Sequence, residues 1–172
     1  MTERQKYSVV TKYKEFELRI YQPCVIAQVS MESGYNESTS RAFRHLFTYI
    51  SKGNSKEEAI AMTAPVIAAI DSSKARIWKI SFVMPAGASL ADLPIPNDSR
   101  VSMVAMPEEK SVAISFRGRA TERLIQKMES RLRQLASDEC LALSPETRVC
   151  RFDPPFKPGF MQYNEIVIPL AS

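Results

Sequence analysis

The strongest constraint on this chain is that its two halves repeat one order of elements. In the first half an alternating apolar run, Cys24–Met31, precedes an amphipathic helical stretch and two further extended runs, Ile60–Ile70 and Arg76–Met84. In the second half Ser111–Arg117 precedes a helical stretch over Thr121–Ser137, then the runs Thr147–Phe152 and Asn164–Leu170. The opening strands read alike, VIAQVSM and VAISFRG. A period of about ninety residues is too long for a solenoid array. Two copies of a strand–helix–strand–strand unit pack instead into one pseudo-twofold barrel or saddle with a helix on each flank, an α+β fold. With 172 residues, 45% of them hydrophobic, the chain can bury one proper core. The expectation is a single domain over residues 1–172, with the polar residues 1–12 as a loosely held arm.

Around this repeat, Phe16–Tyr21 alternates and is broken by Pro23, while Val101–Met106 and Ser111–Arg117 read as a hairpin across Pro107–Lys110. In the first helix Ala42, Phe43, Leu46, Phe47, Tyr49 and Ile50 share one face. Ser38 or Thr39 is the expected N-cap, and Gly53-Asn54 the expected left-handed stop. The second helix carries a stripe of Leu124, Ile125, Met128, Leu132, Leu135 and Ala136.

The net charge of +4 is spread thinly, with no block of consecutive Lys or Arg, so no nucleic-acid groove is expected and an anionic small ligand suits the balance better. Cys24, Cys140 and Cys150 are odd in number and lack C-x-x-C spacing, which reads as scattered reduced thiols. No run of eighteen apolar residues and no secretory h-region occurs, so no membrane span and a cytoplasmic location are expected. No G-x-S-x-G, P-loop, H-E-x-x-H or G-x-G-x-x-G is present, which argues against a conventional hydrolase or kinase. Nothing in the residues fixes an oligomeric state.

His45 is the single histidine, so any imidazole chemistry belongs to the first helix. It reads first as a boundary histidine half in solvent, with ligation of a metal as the alternative. Phe43, Phe47, Tyr49 and Met62 read as core, unless part of that helix face is uncovered and forms a flat apolar platform. Lys157, in the rigid DPPFKPG loop, together with Arg44 and Lys52, can pair with a carboxylate beside such a platform.

Eight segments in order, FELRIYQPCVIAQV, TYISKGN, IAMTAPV, ISFVMP, LPIPND, SFRGRAT, FDPPFKP and YNEIVI, resemble the SOUL haem-binding family from Phe16 to Leu170. The resemblance implies a distorted β-barrel with two flanking helices, a fold similar to the effector-binding domains of bacterial regulators and to gyrase-inhibitory-type proteins. It implies tetrapyrrole binding, haem b or a relative held reversibly, on the outer apolar face of the first helix and the loop before the last strand. On this chain those places hold Phe43, Phe47, Ile50 and Lys157, with Arg44 as a further propionate partner. One branch of the family places an axial histidine in the segment matching LRIY, where this chain has Arg19, Ile20 and Tyr21. What remains is binding by apolar burial and propionate pairing, or a different axial ligand such as His45, Tyr49 or a thiol. The function expected is a cytoplasmic carrier or buffer of haem or its precursors. The alternatives are a module for other amphipathic ligands or protein partners, and a haem-dependent peroxidase or haem-degrading enzyme.

Overall fold

Why the sheet curls follows from where its strands are linked. The computed structural model describes residues 2–74, 76–154 and 156–172. In chain order the elements are β1 (Glu3–Arg4), β2 (Tyr7–Lys12), β3 (Glu17–Tyr21), β4 (Cys24–Met31), α1 (Tyr35–Ile50), β5 (Thr63–Ala64), β6 (Val66–Asp71) and β7 (Trp78–Val83). The second half holds β8 (Ser102–Met106), β9 (Glu109–Arg117), α2 (Glu122–Asp138), β10 (Glu146–Arg151), a 3-10 turn (Gly159–Met161) and β11 (Tyr163–Pro169). Nine strands form one antiparallel sheet in the order β2-β3-β9-β11-β10-β6-β7-β4-β8. Read outward from the β10–β6 junction, where Val149 faces Ala68, the order is the same on both sides. The duplication read from the sequence is thus a local twofold of the sheet.

The two halves also exchange strands. β3 pairs with β9, and β8 pairs with β4. The hairpin expected across Pro107–Lys110 therefore does not form: β9 has both edges occupied, by β3 and β11, and β8 lies at the far edge of the sheet. Pro23 and Pro107 sit in equivalent links, where a residue without an N–H cannot extend either ladder. Tyr21 lies opposite Glu109 and Cys24 opposite Met106, so two short links draw the sheet's edges together and curl it into a half-barrel.

Residues 1–12 are not a loose arm over their described part. β1 pairs with β5 in parallel and β2 with β3, and the Gln5 N–H donates to the Ala64 carbonyl at 2.8 Å. All six side chains of β2 are exposed, so the segment carries no burial alternation by which it could be recognised.

The helices cover the outer face, α1 over β4 and β7, α2 over β9 and β11. Ala27, Val29, Ile80, Val112, Ile166 and Ile168 pack there against Ala42, Leu46, Leu132 and Ala136. The inner face buries Tyr21, Ile26, Ile67, Val83, Cys150 and Val167. Thr121 caps α2 as its position suggests, accepting the Leu124 N–H at 3.2 Å. α1 instead begins at Tyr35, four residues before the expected start, because Tyr35 and Ser38 are fully buried and Tyr35 packs edge-on against Trp78 at 5.0 Å. Thr39 donates back to the Tyr35 carbonyl instead of capping. At the other end the left-handed residue is Lys52, not Gly53. Gly53 is required for space: a Cβ there would lie 2.5 Å from the Thr48 carbonyl oxygen.

Candidate functional site

Four aligned residues set the geometry of the outer face. Phe82 lies opposite Val66, Val66 opposite Arg151, and Arg151 opposite Asn164, one row across β7, β6, β10 and β11. At roughly 4.8 Å per strand the row is about 14 Å long. Phe43 of α1 packs edge-on against Phe82 at one end, with ring centroids 5.3 Å apart. The loop 152–162 leaves from the other end, between β10 and β11. α1 and that loop therefore stand at opposite ends of this row.

On α1 the platform is narrower than the residues alone suggest. The Phe43 and Phe47 rings stack at 5.9 Å and 12°; Phe43 is half-buried and anchors the pair, while Phe47 is 48% exposed. Met62, on the returning chain, is also exposed. Ile50 is buried in the core and presents nothing outward. Arg44 is exposed and follows Phe47 around the helix; among the described residues no carboxylate lies within ion-pair distance of it. Tyr49 is buried, its hydroxyl donating to the Pro94 carbonyl at 2.8 Å, and burial pushes its phenol up.

His45 is placed apart from this platform. Two residues along a helix of 3.6 per turn put it about 160° around the axis from Phe47. Its Nδ1 lies 2.6 Å from Asp98 Oδ2, and its Nε2 faces Arg100 Nη1 at 3.4 Å. The Arg100 backbone N–H, then His45, holds the Asp98 carboxyl below its ordinary value. The imidazole thus has a carboxylate beside one ring nitrogen and a guanidinium facing the other.

The loop is cross-tied. Asp153 accepts the Tyr163 N–H at 2.6 Å and the Lys157 Nζ at 3.0 Å, and Gln162 donates to the Lys157 carbonyl at 2.9 Å. The Tyr163 N–H, then Lys157, keeps the Asp153 carboxyl below its usual range. Lys157 thus lies at the β10–β11 end of the row and already holds one carboxylate. The residues missed from sequence are Phe156, Phe160 and Met161, all exposed. Their signal is local: aromatic residues set among Pro and Gly have no helical or strand periodicity with which to be buried.

The inner face is filled differently. Arg19 and Glu165, both buried, form a bidentate pair with two 2.8 Å bonds. Arg19 also donates to the Tyr21 hydroxyl at 2.9 Å, and its guanidinium lies 4.1 Å from the Tyr7 ring centroid. The Tyr163 hydroxyl donates to Glu165 at 2.7 Å. Burial, and then Glu165, pushes the Tyr163 phenol up to about 12. Burial works against the Arg19 charge, but Glu165 and Tyr21 more than offset it. The LRIY segment therefore points its arginine inward, away from α1. Two small clefts of about 60 Å³ open here, one beside Gln5, Cys24 and Thr63 and one beside Tyr21, Ile67 and Arg148. Among the described residues no group of three His, Cys, Asp or Glu is placed to hold a metal ion, and no helix is long and apolar enough to cross a membrane.

A family model described as SOUL heme-binding protein matches residues 2–169. The chain belongs to the SOUL family. No curated protein sequence matches it significantly. Among solved structures, the EcmrR C-terminal domain superposes with a TM-score of 0.72 at 12% identity, over 96% of this chain and 98% of that one. A hydrolase from Listeria innocua follows at 0.60 and 13%, covering 94% of both chains. SAV2435 bound to tetraphenylphosphonium gives 0.57 and 12%, over 92% of this chain and 94% of that one. At such identities the likeness is one of fold, and it agrees with the curled sheet and paired helices of a regulator effector-binding domain.

Proposed function

We propose that this protein binds haem or a related tetrapyrrole reversibly on its outer face, between α1 and the loop 152–162, and acts as a carrier or buffer. The observation that carries the reading is the half-exposed Phe47, stacked on Phe43 and so on Phe82, in a chain of the SOUL family. Phe43 and Phe47 supply the platform for the macrocycle, and Arg44 and Lys157 reach its propionates, Lys157 by exchanging Asp153 for a propionate. Ile50 supports the helix from the core, and His45 takes no part.

Covering ~300 Å² of apolar surface at ~25 cal/mol/Å² contributes about 7 kcal/mol before association costs. Micromolar binding corresponds to about 8 kcal/mol net of those costs, so without iron ligation the platform must be joined by propionate pairs and by further apolar contact along the outer face. Binding of that strength fits release and transfer better than a permanent prosthetic group.

The fold neighbour that holds tetraphenylphosphonium raises an amphipathic cation as a second reading. The barrel interior disfavours it, because the buried carboxylate there, Glu165, is already neutralised by Arg19. The experiment is a hemin titration followed at the Soret band. Wild type and His45→Ala should saturate alike at micromolar protein, and Phe47→Ala should bind roughly tenfold more weakly, the loss of about one buried aromatic contact. No saturable shift in wild type refutes the proposal, and loss of the band in His45→Ala refutes the ligand-free iron.

A further inference from the structure

The two most exposed large apolar side chains among the described residues stand on one loop. Phe156 is 88% exposed and Phe160 79%, with Met161 beside them at 45%. The loop's base is tied by Asp153 to Tyr163 and Lys157, and by the buried Gln162 to the Lys157 carbonyl. A 3-10 turn at Gly159–Met161 then holds the second aromatic tip out. Two phenyl rings left in water are a standing cost unless something receives them.

The charge around the tips says what does. The Arg4 guanidinium lies over the Phe152 ring at 4.9 Å. Arg117 lies over the Tyr163 ring at 5.5 Å and donates to the Met161 carbonyl at 3.1 Å. Arg119 packs against Gly159, whose Cβ position is 3.4 Å from the Arg119 Cβ. With Lys157 these set four cations around the loop, of which Lys157 is paired with Asp153. By comparison, Arg19 and Arg148 on the inner face each hold two glutamates.

From this we infer that the loop 152–162 is a docking tip for an anionic lipid surface. Phe156 and Phe160 enter the boundary between headgroups and acyl chains, and Arg117, Arg119 and Lys157 remain among the anionic headgroups. Each signal alone gives only marginal, reversible attachment, and the two together give a usable one that salt weakens. The inference shares the loop and Lys157 with the tetrapyrrole reading, but it is carried by the exposed tips with Arg117 and Arg119 and stands whether or not a tetrapyrrole binds.

The test is co-sedimentation of the full chain with phosphatidylcholine vesicles, with and without phosphatidylserine, at low and high salt. Expected is binding to the phosphatidylserine vesicles only, weakened by salt. Phe156→Ser/Phe160→Ser and, separately, Arg119→Glu should each weaken it roughly tenfold or more. Both variants should melt with the wild type, since none of these side chains supports the core. The inference is overturned if wild type ignores the anionic vesicles, binds both kinds equally, or keeps its affinity in the double variant. It is overturned equally if sedimentation shows a dimer that the double variant loses, which would make a second copy the occupant. Hemin titration without lipid separates the two sites: a double variant that loses hemin but keeps vesicle binding assigns the tips to the tetrapyrrole.

Discussion

Glu165→Gln tests the reading of the barrel interior. Glu165 is 4% exposed in its side chain and Arg19 5%, and the carboxylate accepts two Arg19 bonds and the Tyr163 hydroxyl. The amide keeps the volume but removes the charge and turns a donor toward donors. Breaking one side of a buried pair costs about 3–5 kcal/mol. Glu17 remains 2.8 Å from Arg19 and is partly in solvent, so the lower end applies, about 3 kcal/mol. For a domain of this size each kcal/mol moves Tm by ~2–4 °C, so the drop should be about 6–12 °C by calorimetry. Arg19→Met/Glu165→Leu should recover most of it, because a buried pair and a packed apolar pair are of similar worth. A Tm within about 2 °C of wild type for the single variant would refute the argument, since the ion pair would then not be desolvated as the geometry requires.

Other expectations follow from the same contacts. Gly53→Ala should destabilise by about 1–3 kcal/mol in urea, since its Cβ meets the Thr48 carbonyl at 2.5 Å. Burial raises the phenols of Tyr21, Tyr35, Tyr49 and Tyr163, so their contribution to stability is whole below the ordinary value near ~10 and falls as pH rises through the folded values. Ultraviolet titration should show fewer than six tyrosines ionising normally, and unfolding on the alkaline side. Asp153 is depressed, so its tie to the loop is whole above the ordinary carboxylate value of ~3.9 and is lost as pH falls through the lower folded value. Hydrogen exchange of the Tyr163 amide should quicken only in that acid range. A thiol reagent should modify the exposed Cys140 at once, Cys24 slowly, and the buried Cys150 only on unfolding.

The duplication, both helices and most core strands were legible in the sequence because each is written in local periodicity. The exchange of β3 and β8 between halves was not. Val101–Met106 and Ser111–Arg117 have the spacing of a hairpin, and only closure of the whole sheet decides that each pairs elsewhere. The strand β2 was hidden for the opposite reason, since an exposed edge needs no apolar alternation. α1 was dated late because Tyr35 and Ser38 are buried through contacts with distant elements, among them Trp78, while the residues around them look like a polar loop. Around the candidate site, the shared helix face of Phe43 and Phe47 was readable, whereas the burial of Ile50 depends on the chain returning through Ile60, whose N–H bonds the Ile50 carbonyl. The separation of His45 from Phe47 was readable on a helical wheel. Its engagement by Asp98 and Arg100 was not, because those residues arrive from a loop more than fifty positions away.

The most direct measurement of the central claim is the set of backbone amide NMR signals that hemin disturbs at substoichiometric amounts. Paramagnetic broadening concentrated on Phe43, Phe47 and the described residues of the loop 152–162, with Tyr21, Ile67 and Val167 untouched, is the predicted result. Broadening centred on the barrel interior, or on His45, Asp98 and Arg100, would contradict the outer platform and place the ligand elsewhere.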